Sequence, residues 1–577
     1  MTKIRFFTVA MTFCLCMVAF TSKTKAQTWP PFGMAGDGTW SSPYEITIRA
    51  HLADLATFVN NGNGNSTNGM YYKLMNDLDL SGYANWTPIG NVNNGLTTTC
   101  FQGHFNGDNK IVRNLNINRS TTNYIGLFGC TFHADIYSLG IENANIIGGD
   151  YVGGLVGRNF SSLITICHAT GNVSGHEDVG GLVGNNYYSS VSICYATGKV
   201  SGYHHVGGLV GYNDNSRISN CYATGSVTGS AHSGSHNYVG GLVGRNYDDS
   251  SITNCYATGN VSGALCAVGG LVGSNSTSSS ISNCYATGSV NGDSYVGGLV
   301  GDNSSSSSIS NCYAIGNVSG NSPGGWGNDC VGGLVGGSSW SSISNCYAAG
   351  NVRGKDYVGG LVGILNNFTI INNCVVASDS VTATSVTTYI NRIRGREYES
   401  SGGTYTYRNN YALNTMVVQN ANGNVTITNG SDADGTAKTI QELQSLIFYN
   451  TGSNWYNGAW SIDSTTAIWK ICDGKGLPFL RWQGILCEGE IGITPISQNT
   501  MLRIFPNPTK SELRIESGDL KIENIQVFDL AGKLVSSFSV PSQSQATVIN
   551  ISHLTNGIYF LKLKTDKGEL IKKVIKE

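Results

Sequence analysis

The hydrophobic positions in the middle of this chain come in short pieces that repeat about every 28 residues. The string VGGLVG begins at Val152, Val179, Val206, Val239, Val268, Val296, Val331 and Val358, with spacings of 27 to 35 residues. In SISNCYATGSVNGDSYVGGLVG, residues 280–301, small apolar residues alternate with polar ones at the period of a strand, and nothing recurs at helical spacing. A repeat of this length indicates a solenoid or an array of blades.

The positions of glycine and the length of the repeat distinguish a solenoid from an array of blades. Each repeat contains several short strand-like pieces separated by glycine, and the length differences fall just before VGGLVG, as loops on one side of a solenoid would allow. Propeller blades usually need ~40 residues or more. The pattern therefore predicts an all-β fold, a right-handed parallel β-helix whose circuits stack ~4.8 Å apart.

The two ends of the chain differ from the repeats. Lys3 and Arg5 precede an apolar run from residue 6 to 20, which predicts a secretory signal peptide over residues 1–26, cleaved between Ala26 and Gln27. Between the signal peptide and the repeats, apolar residues at positions 52, 55, 58 and 59 predict a helix over residues 51–60. Glycine makes up 76 of 577 residues, an excess typical of a chain with many turns. The net charge is −2, so the chain lacks the excess of basic residues that nucleic-acid binding requires.

Cysteine recurs at one position of the repeat. The eight members are Cys167, Cys194, Cys221, Cys255, Cys284, Cys312, Cys346 and Cys374. Equivalent Cβ atoms on stacked strands lie ~4.8 Å apart, farther than a disulfide allows, so we expect an interior ladder of free thiols. A serine at Cys284 would then bury a hydroxyl without an evident partner, at a cost of ~1–3 kcal/mol. Cys472 and Cys487 are candidates for a disulfide, and Cys100 could pair with Cys130.

Tyrosine follows the ladder cysteine in six consecutive repeats. If cysteine points inward, alternation points these tyrosines outward, where they would form a strip along the solenoid. The strip is either a structural stack that shields the sheet or a binding surface for glycan rings or a protein partner. Its members, our speculative ligand-binding residues, are Tyr195, Tyr222, Tyr256, Tyr285, Tyr313 and Tyr347.

No catalytic constellation emerges from the sequence. His176-Glu177 lacks the second histidine of a zinc protease motif. The adjacent acids Glu177-Asp178 and Asp248-Asp249 would face opposite sides of a strand. Acids before the glycine motif, such as Asp150 and Asp356, stand at irregular offsets, so calcium binding is only an alternative to turn formation. We therefore expect no catalytic residue, no metal site and no cofactor.

The recurring VGGLVG, with NCYATG upstream, resembles the GLUG-motif repeat of bacterial surface and secreted proteins, including adhesin-like proteins and some immunoglobulin A proteases. The match covers about residues 124–377, the predicted GLUG-repeat β-helix. The lead-in, with GDGTWSSPYEI from Gly36 and YYKLMNDLDL from Tyr71, also resembles such proteins, in which this region, here residues 27–123, caps and starts the solenoid. Residues 378–487 are expected to form an irregular end region, in which GLPFLRWQ resembles the segment that closes many such proteins. The resemblance is specific for the repeat and weak for activity.

The tail differs in composition. After a linker at 488–500, residues 501–577 contain FPNPTKSELRI, IQVFDLAGKLV and ISHLTNGIYFLKLKT, alternating strands that suggest a small β-sandwich. Together they resemble the type A C-terminal sorting domain of the type IX secretion system. The resemblance implies a partner, the type IX machinery, and export to the outer-membrane surface or medium of a gram-negative bacterium.

The sequence thus predicts a non-catalytic secreted or surface β-helix that serves adhesion or binds a glycan or protein. The alternative is a surface polysaccharide lyase or hydrolase, with its site in loops or in residues 378–483.

Overall fold

The computed structural model describes residues 33–92, 97–231, 237–264, 267–321, 329–398 and 404–487, and most of 503–576. The predicted signal peptide, with Ala26 and Gln27, and the linker at 488–500 lie outside the described residues. The central part is a parallel β-solenoid. One circuit contains five short strands, here β1 to β5: Ser280–Ser282, Tyr285–Ala286, Val290–Gly292, Tyr295–Gly297 and Val300–Ser304.

Each strand pairs in parallel with its equivalents in the circuits before and after it. The β1 ladder contains Leu163–Thr165, Ser190–Ser192, Arg217–Ser219, Ser251–Thr253, Ser308–Ser310, Ser342–Ser344, Ile370–Asn372 and Thr406–Arg408. The β2 ladder contains His168–Ser174, Tyr195–Ala196, Tyr222–Ala223, Tyr256–Ala257, Tyr313–Ala314, Tyr347–Ala348, Val375–Val376, Tyr411–Leu413 and Thr436–Lys438. The β3 ladder contains Val200–Gly202, Val227–Gly229, Val261–Gly263, Val318–Gly320, Val352–Gly354, Ser380–Ala383 and Val417–Asn420.

The remaining two ladders form the sides that carry the VGGLVG motif. The β4 ladder contains Val152–Gly153, Glu177–Gly180, His204–Gly207, Tyr238–Gly240, Ala267–Gly269, Cys330–Gly332, Tyr357–Gly359 and Ile390–Asn391. The β5 ladder contains Phe128–Phe132, Val156–Phe160, Val183–Tyr187, Val210–Asp214, Val243–Tyr247, Val272–Ser276, Val335–Ser339, Val362–Asn366 and Arg394–Tyr398.

The register explains why the sequence repeats so strictly. Ile281 pairs with Ile309, Tyr285 with Tyr313 and Val296 with Val331, so each side chain stacks on its own equivalent. The inward positions of this circuit are at most 1% exposed: Ile281, Cys284, Ala286, Val290, Val296, Leu299 and Val300. Because the core is narrow and continuous, one set of small apolar residues fills every layer.

The cysteine ladder is confirmed: its eight members are free and buried. The thiols are also hydrogen-bonded. The Cys284 thiol donates to the carbonyl of Ser282 at 3.0 Å, and the Cys255 N–H donates to the Cys284 sulfur at 3.4 Å. The expectation that a hydroxyl at this position lacks partners is therefore wrong. Burial raises the pKa of the Cys194, Cys255, Cys312 and Cys374 thiols well above the ordinary value.

A second interior ladder consists of asparagine. It is the second residue after VGGLVG in six circuits, and its members are fully buried: Asn159, Asn186, Asn213, Asn246, Asn275 and Asn303. Each side-chain N–H donates to the next side-chain oxygen at 2.8 Å. The ladder ends where Ser338 pairs with Asn303, and the Asn303 Nδ2 atom is left buried without a partner.

The solenoid ladders extend beyond the VGGLVG repeats on both sides. Before them lie the strands Tyr44–Ile46, Tyr71–Leu74, Leu78–Asp79, His104–Arg113, Asn116–Asn118 and Asp135–Ile147. The capping helix spans Arg49–Phe58, continues as a π-helical turn at Val59–Asn63, and buries Leu52, Leu55 and Phe58. The structure joins Cys100 and Cys130 by a disulfide beside this cap, with Cα atoms 4.8 Å apart.

Residues 439–487, here the closing segment, follow the last strand of the solenoid. Helices Ile440–Leu443 and Leu446–Asn450 precede the antiparallel pair Trp469–Lys470 and Phe479–Leu480. The structure joins Cys472 and Cys487 by a disulfide, with Cα atoms 5.2 Å apart. Thr439 and Glu442 form a capping box at the first helix, which fixes the direction in which the chain leaves the solenoid.

The tail contains two antiparallel sheets. The first consists of Arg503–Phe505, Glu512–Glu516 and Ala546–Asn550, and the second of Ile522–Phe528, Leu534–Ser539, Gly557–Thr565 and Gly568–Lys576. Leu513 and Ile549 of the first sheet share one core with Ile525 and Leu561 of the second. Two sheets around a common core make a small β-sandwich.

Candidate functional site

The predicted tyrosine strip exists as a continuous aromatic stack on the outside of the β2 ladder. Its rings lie 4.8 to 5.0 Å apart and within 8° of parallel, from Tyr195 to Tyr347. His168 extends the stack by one ring, 4.7 Å from Tyr195. The strict register of the ladder produces this geometry, because every tyrosine inherits the position of the one before it.

The stacking changes what the strip can offer a ligand. Each inner ring has a neighbouring ring on both faces, so only ring edges and hydroxyl groups face solvent. A sugar ring therefore has no free tyrosine face to pack on at the inner rings. Burial, with the neighbouring phenols second, raises the pKa of Tyr222 to about 12, so its hydroxyl stays neutral.

The closing segment covers the later half of the strip. Trp469 packs against Tyr313 and Tyr347, and both tyrosines are at most 5% exposed. Trp482 packs 5.7 Å from Tyr285 and 6.1 Å from Tyr256. These contacts leave Tyr313 and Tyr347 no surface for a ligand.

Two polar contacts involve the last residues of the closing segment, beside the strip. The Gln483 amide donates to the Tyr313 hydroxyl at 2.8 Å, and the Trp482 ring N–H donates to the carbonyl of Asn283 at 3.1 Å. The residues GLPFLRWQ, which the sequence identified as closing the solenoid, thus do so by lying along its aromatic strip.

The earlier half of the strip stays open and forms a groove. The groove has a volume of about 430 Å³ and runs across consecutive circuits from Asn109 to Tyr222. Its lining includes Ile166, His168, Ile193, Tyr195, Asn220 and Tyr222. No lining residue that the structure describes is an acid, a lysine or an arginine, and burial lowers the pKa of His168. The groove is therefore uncharged at neutral pH.

Among the apolar residues that line the groove, Ile166 and Ile193 differ from the rest in their exposure and backbone. They occupy the corner between β1 and β2, where the next six circuits have asparagine. All eight residues adopt a left-handed backbone, with φ of 56° at Ile166 and 54° at Ile193. Asparagine tolerates this conformation, whereas a β-branched residue is a steric outlier there. Both isoleucines are about half exposed, 48% and 54%, so burial does not account for their presence.

A second cluster lies on a different side, at the first residues of β4. The sequence analysis expected Glu177 and Asp178 to point apart, and the structure shows otherwise. Asp178 has φ of 51°, which breaks strand alternation, and one donor atom from each of Glu177, Asp178 and His205 lies within 4.8 Å of the others. The sequence analysis did not predict that His205, from the following circuit, lies beside these two acids. Strand alternation assumes an extended backbone, and the backbone here is left-handed.

Four other acids serve local structure. In residues 378–483, Glu397 pairs with Arg394, Asp434 accepts the N–H of Arg392 and Thr428, and Asp473 accepts the N–H of Leu446. Asp248 accepts from the Asn215 amide. No paired carboxylates facing a groove stand out among these described residues.

Two family models match parts of the chain. A family model described as the secretion system C-terminal sorting domain matches residues 503–577. The GLUG motif matches seven stretches: 148–174, 175–201, 202–228, 235–262, 264–291, 292–319 and 327–353. The chain carries seven GLUG repeats and a type IX sorting domain. It is therefore a secreted or cell-surface protein that engages the type IX secretion machinery. In the described part of the chain, no helix is long and apolar enough to cross a membrane.

Two curated relatives match a limited stretch. The "Putative Gly-rich membrane protein" of Evansella cellulosilytica is 35% identical over 139 residues, which cover 22% of this chain and 14% of that protein. Halomucin of Haloquadratum walsbyi is 34% identical over 137 residues, which cover 22% of this chain and 1% of that protein. The chain thus spans only a small part of either relative.

Two solved structures are distantly similar to this chain. A putative immunoglobulin A1 protease from Bacteroides ovatus is 18% identical, with 78% of this chain and 94% of that chain covered and a TM-score of 0.26. A protein described as IgA1 Protease is 13% identical, with 92% and 34% covered and a TM-score of 0.29. The fold assignment rests on the parallel ladders themselves.

Proposed function

We propose that this secreted or cell-surface protein is a non-catalytic binding protein and that its groove holds a segment of a neutral polysaccharide. The observation that carries the proposal is the pair of left-handed isoleucines beside the open end of the aromatic stack. Strained residues that the fold does not require are found preferentially at functional sites. In the six circuits that follow, asparagine takes the same corner.

The chemistry of the groove fits an uncharged, elongated ligand. Five circuits contribute to it, which gives a length of ~19 Å at the spacing of stacked strands. Ile166 and Ile193 offer apolar area to the carbon faces of sugar rings. The hydroxyls of Tyr195 and Tyr222 and the amide of Asn220 offer hydrogen bonds. A mostly apolar cleft with a few placed polar groups is typical of ligand sites of 300–1,000 Å³.

The test is glycan-array binding of the mature chain, followed by titration of the best neutral ligand. The double variant Ile166→Asn/Ile193→Asn is chosen because asparagine already fills this corner in later circuits, so the solenoid should fold. We expect its affinity to fall at least tenfold. Ile315→Thr is the matched control, because Ile315 is 46% exposed, lies outside the groove and takes a position where five circuits have threonine.

Three outcomes would count against the proposal. One is wild-type affinity in the double variant, and another is a comparable loss in the control. The third is release of new reducing ends or unsaturated sugars from a bound polysaccharide, which would favour the lyase or hydrolase alternative. Binding should also change little between low and high salt, since no charged side chain lines the groove.

A further inference from the structure

Two exposed aromatic residues, Trp340 and Phe368, lie at the corner between β5 and β1 in two late circuits. Both stand two residues before the first residue of β1, where Ser342 pairs with Ile370, so they take equivalent places in consecutive circuits. Their ring centroids lie 4.3 Å apart, and the ring planes meet at 38°. This pair, here the aromatic platform, is far from the groove and does not touch the tyrosine strip.

The backbone of the platform is unfavourable for the residues it carries. Trp340 has φ of 50° and Phe368 has φ of 41°, and a bulky residue in this left-handed region is a steric outlier. The two side chains are 51% and 40% exposed, so burial does not account for them. Strained residues of this kind are found preferentially at functional sites. Small polar residues fill the same corner in other circuits: Ser161, Asn215, Ser278 and Ser306.

One face of the indole ring is left open. Phe368 packs on one side of Trp340, whereas the preceding circuit has Ser306, which is too small to cover the other side. The inner tyrosines of the strip differ, because both of their faces are covered. A shallow hollow of about 280 Å³ lies at this place, lined by the two rings, Ile370 and four serines.

The lining of the hollow combines apolar faces with hydroxyl groups. Ile370 is 40% exposed beside the rings, and the side chains of Ser306 and Ser342 border them. No lining residue that the structure describes here is an acid or a base. A neutral sugar ring has the matching surface, since it presents an apolar C–H face and a rim of hydroxyl groups.

The size of the patch argues against a stable protein interface. An aromatic side chain offers ~150–250 Å², so two half-exposed rings and Ile370 together present ~300 Å². A specific protein interface buries ~800 Å² on each partner. The neighbouring β1 strands carry serine, as at Ser308 and Ser310, so the apolar area does not extend across them. The area suits one or two sugar rings.

We infer that Trp340 and Phe368 form a second carbohydrate site, which holds a neutral pyranose ring of a glycan by its apolar face. The sugar ring lies on the open indole face, and Ile370 extends the apolar contact. The hydroxyl groups of Ser306 and Ser342 form hydrogen bonds with the rim of the sugar. Five circuits, or ~24 Å along the axis, separate Trp340 from the circuit of Tyr195, so this site works independently of the groove.

The test uses the mature chain with Ile166→Asn/Ile193→Asn, which impairs the groove and leaves the aromatic platform intact. Cellohexaose, laminarihexaose and mannohexaose are the probes. Acrylamide quenching of tryptophan fluorescence is measured with and without each of them, and calorimetric titration gives the affinity. We expect at least one probe to reduce the quenching and to bind with a dissociation constant on the order of 1 mM, as contact with one or two rings allows.

Adding Trp340→Ser/Phe368→Ser to this chain should abolish both the protection and the measurable binding. Serine is a mild replacement, because it already fills this corner in three circuits. Tyr188→Ser is the matched control. Tyr188 takes the same corner of an earlier circuit with φ of 49° and is 51% exposed, but the circuits on either side have Ser161 and Asn215 there. This change should leave the affinity as it is.

Failure of this site is distinguishable from failure of the groove, because each is removed in a chain that keeps the other. The inference is overturned if the groove-impaired chain binds none of the three probes, or if Trp340→Ser/Phe368→Ser binds them as its parent does. An equal loss in Tyr188→Ser would overturn it as well. So would sedimentation that shows a dimer for the parent and a monomer for Trp340→Ser/Phe368→Ser, since the patch would then bind a second copy of the chain.

Discussion

Replacing Ile193 by asparagine should stabilise the protein while it removes the apolar side of the groove. Left-handed backbone costs an L-residue other than glycine or asparagine about 1–2 kcal/mol, and Ile193 has φ of 54°. Asparagine relieves most of this strain. It also brings an amide beside Asn220, as in the following circuits, where Asn254 donates to Asn220 at 3.2 Å.

The opposing effect is the loss of buried apolar area. Ile193 is 54% exposed, so the replacement gives up about half of the ~2 kcal/mol that full burial of an isoleucine contributes, about 1 kcal/mol. A net hydrogen bond adds about 0.5–1 kcal/mol. The balance is a stabilisation of about 1 kcal/mol.

The assay is urea unfolding of the mature chain followed by circular dichroism. The midpoint should rise with no change in the slope m, since the surface exposed on unfolding is nearly the same. Ile315→Thr removes a similarly exposed isoleucine whose backbone is not left-handed, so its midpoint should not rise. The reasoning fails if Ile193→Asn lowers the stability by more than about 1 kcal/mol, or if both variants raise it equally.

Four other perturbations have defined outcomes. Burial raises the pKa of Asp302 from 3.8 to about 6, so the folded state holds this proton more tightly than the unfolded one. Its stabilising contribution is complete below about pH 4 and is lost as the pH rises through about 6, on the order of 3 kcal/mol. Asp302→Asn should remove that decline in urea unfolding across pH 4 to 7, whereas Asp249→Asn, at an exposed acid, should not. Asn246→Ala should lower the free energy of unfolding by about 2–4 kcal/mol, because it breaks two ladder bonds and leaves buried amide atoms unpaired; a loss under about 1 kcal/mol would mean that the ladder adapts. Cys284→Ser should cost less than about 1 kcal/mol, because the hydroxyl keeps both partners of the thiol, and native thiol labelling should stay slow in both proteins. Deletion of residues 501–577 should retain the protein in the periplasm, and normal surface levels of the shortened chain would contradict the sorting role.

The repeat made the solenoid predictable, since a period of about 28 residues with strand alternation and glycine corners leaves few architectures open. The inward cysteine and the outward tyrosine followed from alternation alone. The buried asparagine ladder did not, because asparagine near glycine reads as a turn residue. Only stacking supplies each amide with a partner in the next circuit.

The candidate sites were harder to foresee, for two separate reasons. The closing segment contacts the solenoid beside the strip through pairs such as Trp482 and Asn283, which are 199 residues apart. The repeat pattern of the sequence does not predict a contact between such distant residues. The cluster around His205 depends on one left-handed residue, Asp178, and alternation misplaces every side chain at such a corner. The exposed isoleucines were visible in the sequence as departures from asparagine, but their strain was not.

The closing segment also sets an order of assembly. Adjacent circuits join residues about 28 apart, whereas the Trp482 contact closes a loop of 199 residues, which raises the closure entropy by about 1.7 kcal/mol. Successive circuits can thus pair one after another during folding. The closing segment, residues 439–487, can pack only after the circuits that form the strip are in place. We therefore expect a late folding intermediate whose tyrosine edges are bare along their whole length. Its lifetime is the interval in which this protein is most exposed to unwanted self-association.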